Sequence, residues 1–562
     1  MIEPAPRRPW AWDIPEFFNI GEACTQRGHD PQCKNRIALT VDCGDRRVRE
    51  ISYQQLEKSA RCFAGAVTGL GLCRQQRLMI RLPNSLEYPI AFMGTLLVGG
   101  IAVPASTLLT AEEVAYLGKD AGVSILLITG QDLLVLQGVI ETLPDLRHII
   151  LVDDPGAADV VSSSVEDDRF EKRLINQKGE TVAVHPWKDL LQNADYQENY
   201  CRTRADDPAY LVYTSGTSGY PKGVLHAHRA LLGRQPSSDY WFDFSGNDRI
   251  LHSGKLNWTY ALGTAMMDPF YRGKSVVLYE GPPGPGIWPE LIAKHKCTIF
   301  IGVPTVYRQI LQRTDFVARE LPSLRYCMCA GEHLSDEILS LWQQRFGQAI
   351  YEAVGMSEFS YYLSHHTSRP LKPGSAGLPQ PGHKLALLDR DMKPVTDDTE
   401  GMLCIPLNDP GLFIQYWGLL YETAACRRDG YFLTGDYARR DVDGYYWFLG
   451  RKDDIINCSG YRISPIEIER VLKAIPGVAD CVVVDERLAS DKNIVTACII
   501  QDQANLLEAD AVIAYAAEHL ASYKVPRKVR FMASFPRTSN GKVLRRAVKV
   551  GFSSTNEGEA DA

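Results

Sequence analysis

The strongest constraint on the fold is an alternation. From about Ile51 to Thr305, short β-type runs are separated by helical segments. Leu78-Met79-Ile80 reads as a strand, Ser85–Val98 as a helix and Ile101–Val103 as the next strand. Ile125–Ile128, Ile149–Val152, Val276–Tyr279 and Thr298–Ile301 continue the series. Such a pattern calls for α/β layers with a largely parallel sheet. At 562 residues the chain exceeds what one core can serve, so at least two domains are expected. The polar run from Asp153 to Glu180 reads as an exposed excursion, and no internal repeat is evident.

Composition excludes several classes. A net charge of -7 and a pI near 6.0 leave no basic field for nucleic acid. Fourteen cysteines carry no CxxC pair. Cys24, Cys33 and Cys43, with His29 nearby, are too loosely spaced for a zinc module and read as ordinary thiols of a reducing compartment. The N-terminus has an early acid, several prolines and no apolar h-region, so no secretory signal is expected and the cytoplasm is the default. The apolar stretch Tyr88–Pro104 is broken by Gly94, Gly99 and Gly100. It reads as a buried helix followed by a strand, not as a membrane span.

After Gly450 the composition shifts. Arg451-Lys452-Asp453-Asp454 is a charged joint, and the boundary is placed at Asp453, dividing the chain into 1–452 and 453–562. Beyond it Ser464 caps a helix, Pro465 takes its first position and Glu467 would complete a capping box. Ile468, Val471, Leu472 and Ile475 form one apolar face; Pro476-Gly477 then turns the chain into a strand at Cys481–Val484. Residues 553–562 read as a frayed acidic tail.

The chemical signal is loudest at Tyr210–Gly223, YLVYTSGTSGYPKG. An apolar strand enters a loop rich in Thr, Ser and Gly that closes on Lys222. Glycines let backbone N–H groups crowd an anion, and Thr214, Ser215, Thr217 and Ser218 add hydroxyls around Gly216 and Gly219. It is not a Walker loop, because Tyr-Pro separates Gly219 from Lys222 and Gly223 follows the lysine.

This segment resembles the phosphate loop of the adenylate-forming acyl-CoA synthetase superfamily. Other segments resemble the family's motifs in order: Gly331-Glu332-His333, Gly355-Met356-Ser357-Glu358, Thr434-Gly435-Asp436, Gly450–Asp453 and Pro536–Lys542. The resemblance implies a large N-terminal α/β domain of stacked sheets flanked by helices, and a small mobile C-terminal α/β lid. It implies a two-step ligase. A carboxylate and ATP give acyl-AMP and pyrophosphate, and CoA then takes the acyl group.

By the same resemblance, Lys542, Glu358 and Thr214 are the catalytic residues, with Glu358 holding Mg²⁺ on the phosphates. ATP or AMP would contact Ser215–Gly219, Lys222, Gly331, Glu332, His333, Glu352, Ala353, Val354, Gly355, Met356, Ser357, Asp436, Arg451 and Arg462. Asp453 would be the hinge, and Ser459, Gly460 and Tyr461 would meet CoA. Glu352 stands for the usual aspartate and Ser357 for the usual threonine, each keeping its functional group. Between Lys524 and Lys549 lie nine Lys or Arg and no acid. These form either a solvated face or an attractor for CoA or pyrophosphate.

The acid is less sharply specified. Lys255–Gly263, KLNWTYALG, and Ser106–Ala111 resemble the benzoate-CoA ligase group. Trp258, Thr259, Tyr260, Gly263, Gly331, Tyr361 and Tyr362 would line the acyl pocket. That aromatic wall suits a flat ring, or an alicyclic or short branched acid. The benzoate group shows histidine where Tyr361 stands and an aliphatic residue at Tyr362, so unsubstituted benzoate fits less well than a smaller or polar-substituted acid. The rival readings are a stand-alone enzyme loading a carrier-protein pantetheine and a non-catalytic nucleotide-binding scaffold. About 20 residues follow Lys542, so no fused carrier is expected; a scaffold would lack Lys542, Glu358 or Asp436. The expected partners are a small carboxylic acid and CoA, in a monomer or homodimer.

Overall fold

The computed structural model describes residues 10–44, 47–152, 174–214, 221–331, 334–451, 454, 456–458, 461–489, 492–502, 506–520, 524–537 and 543–550. Two large sheets dominate. One has eight strands in the spatial order Gln415–Tyr416, Lys222–Ala227, Pro208–Thr214, Ile101–Pro104, Arg77–Ile80, Val123–Thr129, His148–Val152 and Ala183–Pro186. The other has nine: Leu378–Pro379, Ser360–Ser364, Ile350–Met356, Tyr326–Ala330, Ile299–Gly302, Arg249–His252, Ser275–Tyr279, Ile37–Asp42 and Val48–Ser52.

Both sheets are parallel in their middles; the first turns antiparallel at one end and the second at both. In the first, the direction reverses where Pro208–Thr214 pairs with Lys222–Ala227. In the second it reverses where Ile350–Met356 pairs with Ser360–Ser364. These two reversals flank the Ser/Thr/Gly segment and carry the Glu358 turn. A parallel pair needs a long crossover, whereas an antiparallel pair closes in a few residues, so each motif falls between neighbouring antiparallel strands.

The expected strands between Leu78 and Ile301 all form, each within two residues of its expected ends. Glu87–Leu97 is a helix in which every residue is buried, followed by the strand Ile101–Pro104. A helix apolar all round belongs in a core, and this one lies in a core shared by both sheets. No helix among the described residues is long and apolar enough to cross a membrane. Residues 153–173 and 551–562, which include most of the polar excursion and the acidic tail, lie outside the described residues.

A third sheet holds Ala386–Leu388, Gly401–Pro406, Tyr431–Arg440 and Arg427–Arg428, with Tyr446–Arg451 paired to Tyr431–Arg440. After it comes a separate small unit. Its strands Val478–Ala489, Lys492–Gln501 and Lys528–Phe531 pack against the helices Pro465–Leu472 and Ala509–His519 around their own core. The signposted helix begins as expected, the Ser464 hydroxyl accepting from the Glu467 N–H at 3.3 Å. The Glu467 carboxylate does not turn back to complete a capping box; it takes Lys524 at 2.6 Å. Here an ion pair within the small unit outcompetes the local bond.

The basic run after it is largely consumed by the same unit. Lys524, Lys528, Arg530, Arg537, Arg545 and Lys549 pair with Glu467, Glu486, Asp480, Glu469 and Asp485. Six of the nine cations therefore serve the fold, which favours the structural reading over an attractor for phosphates. The two units meet where the Arg470 guanidinium takes Asp336 at 2.5 Å, and where Ser464 donates to the Leu449 carbonyl.

Candidate functional site

Thr214 and Lys222 face each other across the antiparallel ladder, so both ends of the Ser/Thr/Gly segment are pinned to the sheet. Ser215, Gly216, Thr217, Ser218 and Gly219 lie outside the described residues, as do Glu332, His333, Asp453, Ser459, Gly460 and Lys542. Tyr461 and Arg462 belong to the short strand Tyr461–Ile463.

Lys222 reaches toward the ring of Tyr416, with Nζ 5.6 Å from its centroid. The Tyr416 hydroxyl in turn donates to Glu358 Oε1 at 2.8 Å. Burial first, and then the Glu358 charge, hold that phenol protonated. Lys222 and the Glu358 carboxylate are thus joined through one tyrosine that no sequence motif marks. Gln415–Tyr416 adds a strand beside Lys222–Ala227, which is how Tyr416 arrives there.

Glu358 rides a tight turn between Ile350–Met356 and Ser360–Ser364, and several bonds fix that turn. His226 Nε2 meets the Ser357 carbonyl at 2.7 Å, with its ring stacked on Tyr210 at 4.7 Å. Burial pushes the His226 pKa down to about 3, so the ring is neutral and donates through Nε2. The Phe413 N–H donates to the Glu358 carbonyl at 2.8 Å. Gly355 is required by space, because a Cβ there would stand 2.1 Å from the Ser360 carbonyl oxygen. Met356 and Ser357 complete the half-buried turn, and the Glu358 carboxylate is the kind of oxygen donor that suits Mg²⁺.

On the segment expected to meet adenine, Ala353 pairs with Ala330 and Val354 with Leu363. Glu352 is 6% exposed and accepts from the Leu334 N–H at 3.1 Å. Burial, reinforced by Asp336 and opposed by that bond, pushes its carboxyl up to about 8. Asp436 and Arg451 are direct partners in the antiparallel ladder, their side chains 3.3 Å apart. The two residues expected at one sugar therefore stand side by side.

The residues expected to line the acyl pocket are mostly rings. Trp258 and Tyr260 meet edge-to-face at 5.2 Å, Tyr260 and Tyr361 at 6.1 Å, and Trp241 lies 4.6 Å from Tyr361. The Trp258 indole closes over Gly331, where a Cβ would sit 3.2 Å from its edge. Thr259 is half-buried at the start of the helix Thr259–Leu262.

The two tyrosines expected on one wall are separated. Neighbours on a strand point to opposite faces. Tyr361 faces Tyr260 and Trp241, while Tyr362 packs on Phe359 at 5.2 Å and feels the charges of Asp436, Arg451 and Glu358. Tyr362 is thus turned away from the Tyr260 and Trp241 rings and toward Asp436, Arg451 and Glu358, so the two tyrosines do not share one wall.

Beneath Tyr361 lies an ion pair that the sequence did not announce. Arg234 and Asp268, 2% and 0% exposed, meet through two bonds of 2.9 and 2.5 Å. Burial lifts the Asp268 carboxyl above its usual range, with Arg234 pulling the other way. Gly263 makes room for them, since a Cβ there would stand 1.7 Å from the guanidinium. Among the described residues no group of three or more His, Cys, Asp and Glu is arranged to hold a metal ion.

Comparison with known proteins agrees with this geometry. The human mitochondrial acyl-coenzyme A synthetase ACSM3 is 27% identical over 554 residues, covering 95% of this chain and 90% of that protein. Benzoate–CoA ligase of Thauera aromatica is 27% identical over 545 residues, with 96% and 97% covered. The solved structure of the anthranilate CoA ligase AuaEII in complex with anthranoyl-AMP superposes with a TM-score of 0.83 at 27% identity, over 96% of this chain and 99% of that one. Residues 467–542 match the AMP-binding enzyme C-terminal domain and residues 28–417 the AMP-binding enzyme family itself, so the chain belongs to that family.

Proposed function

We propose that this AMP-forming acid–CoA ligase activates an aromatic carboxylic acid. The observation that carries the reading is the ring wall of Trp258, Tyr260, Tyr361 and Trp241, with centroid spacings of 4.6 to 6.1 Å. Edge and face contacts of this kind add about 0.5–1.5 kcal/mol beyond simple burial for a flat ring. The names of the Thauera aromatica and AuaEII relatives point the same way.

In the first step a carboxylate oxygen of the acid attacks the α-phosphorus of ATP, and the bond to pyrophosphate breaks. Thr214, Ser215–Gly219 and Lys222 would hold the phosphates, Glu358 would hold Mg²⁺, which would neutralise phosphate charge, and Asp436 with Arg451 would hold the ribose. Lys542 stabilises charge passing to the leaving pyrophosphate. In the second step the CoA thiol sulfur attacks the acyl carbonyl, AMP leaves, and the small unit has turned about Asp453 to withdraw Lys542. Thirteen free cysteines among the described residues fit a reducing compartment such as the cytoplasm.

The test is pyrophosphate release with Mg-ATP across benzoate, hydroxy- and aminobenzoates, cyclohexanecarboxylate and aliphatic acids of several lengths, with and without CoA. The reading predicts preference for ring acids and faster turnover when CoA is added. Preference for aliphatic acids would overturn the substrate class, and release indifferent to CoA would point to a carrier-protein acceptor.

A further inference from the structure

We propose that the buried Arg234–Asp268 pair is a positioning device that holds Ser360, and through it the Glu358 turn, in a left-handed backbone conformation. The inference rests on the reading of Glu358 as the carboxylate that meets Mg-ATP.

Ser360 has φ +60°, a conformation that residues with a Cβ adopt at a cost and that glycine adopts freely. It stands directly after the turn, paired with Met356 across the hairpin, where an extra residue shifts the register between Val354 and Gly355. Glycine is the usual occupant of the left-handed position in such short hairpin connections. Serine needs another source of stability, and the structure supplies one: Arg234 Nη1 donates to Ser360 Oγ at 2.6 Å. The guanidinium cannot drift, because Asp268 grips Nε and Nη2 and Nη2 also donates to the Tyr361 hydroxyl at 3.1 Å. Tyr361 in turn donates to the Tyr260 carbonyl at 3.0 Å.

A charge pair this deep is expensive to desolvate, and apolar side chains of similar size often serve stability as well. A role in stability alone does not account for the third bond, to the hydroxyl of a residue in a strained backbone beside the carboxylate. Strain held in place by its surroundings recurs at functional sites, and here the same network also forms the floor beneath the ring wall. Arg234 and Asp268 touch neither nucleotide nor metal in this account. They act by fixing where Glu358 can stand.

The two effects of Ser360, its hydroxyl and its backbone, separate cleanly. Ser360→Ala removes the hydroxyl and keeps the backbone cost; Ser360→Gly removes both. Pyrophosphate release without CoA is measured against Mg²⁺ concentration, with thermal midpoints recorded for each protein. Ser360→Ala is expected to lower the rate at limiting Mg²⁺ by about tenfold, the scale of the left-handed penalty. The KM for the acid should stay unchanged, and Ser360→Gly should stay within about twofold of the parent. In Arg234→Met/Asp268→Leu, which leaves no bare charge buried, the Mg²⁺ dependence should fall as in Ser360→Ala, and adding Ser360→Gly should restore it. Equal rates for the Ala and Gly variants, at either level, overturn the inference, as does a triple variant no better than the double. If Glu358→Gln leaves the Mg²⁺ dependence untouched, the reading of Glu358 itself fails, whatever Ser360 does.

Discussion

On the proposed nucleotide side, Thr214 and Lys222 stand at strand ends, Glu358 in a turn and Asp436 within a strand, all half-buried and linked to neighbours through Tyr416 and the Asp436–Arg451 ladder. On the acid side, Tyr260, Tyr361, Arg234 and Asp268 are 6, 5, 2 and 0% exposed and are held by ring contacts and one buried ion pair. Solvent-reachable groups on short connections can meet a charged, water-bearing ligand. A dry, interlocked wall sets a shape and resists change. In the proposed function the common chemistry belongs to one half of the site and the choice of acid to the other, and substitutions should respect that division.

The largest effect is expected on the acid side, in stability. Asp268→Ala leaves the Arg234 charge buried without its partner and should cost about 3–5 kcal/mol in urea unfolding. A cost below 1 kcal/mol would mean the acid side is no more rigid than the nucleotide side. Next comes Lys542→Ala, expected to slow acyl-AMP formation by roughly 10²–10³ while thioester formation from supplied acyl-AMP is largely kept. Equal loss in both half-reactions would contradict the alternation of the small unit.

Tyr416→Phe removes a bond to a charged carboxylate, worth about 1.5–3 kcal/mol at most. The rate at limiting Mg-ATP should drop while the KM for the acid stays put; a shift in acid KM would blur the two halves. The smallest effect concerns Glu352. Its carboxyl titrates at about 8 in the folded chain against an ordinary 4.5. Between those values the native state keeps a proton that the unfolded chain has released, so stability falls as pH rises through that window. Glu352→Gln should lose that part of the slope when urea midpoints at pH 5 and pH 8 are compared, and an unchanged slope would mean the carboxyl is ionised in place.

The two halves also differ in how far they can be read from sequence. Thr214, Lys222, Glu358 and Asp436 each sit in a short motif, and the parallel strands of the two large sheets, such as Ile149–Val152 and Val276–Tyr279, carry apolar runs that predict their ends within a residue or two. Tyr416 carries no such mark, because a two-residue strand far along the chain delivers it. Arg234 and Asp268 are 34 residues apart with no spacing that links them; only burial makes them partners. The opposed faces of Tyr361 and Tyr362 were legible in principle, since adjacent residues on any strand diverge. The half-formed capping box at Ser464 shows the same limit, because local pattern cannot foresee that Lys524 takes the Glu467 carboxylate.

The most direct test of the division is one variant measured twice. In Tyr361→His, kcat/KM is determined across the ring and aliphatic acid panel, together with the KM for Mg-ATP. The account predicts a reordered preference among the acids with the Mg-ATP KM unchanged. An unchanged ranking, or a Mg-ATP KM that moves with it, would contradict the claim that this wall chooses the acid and leaves the nucleotide chemistry alone.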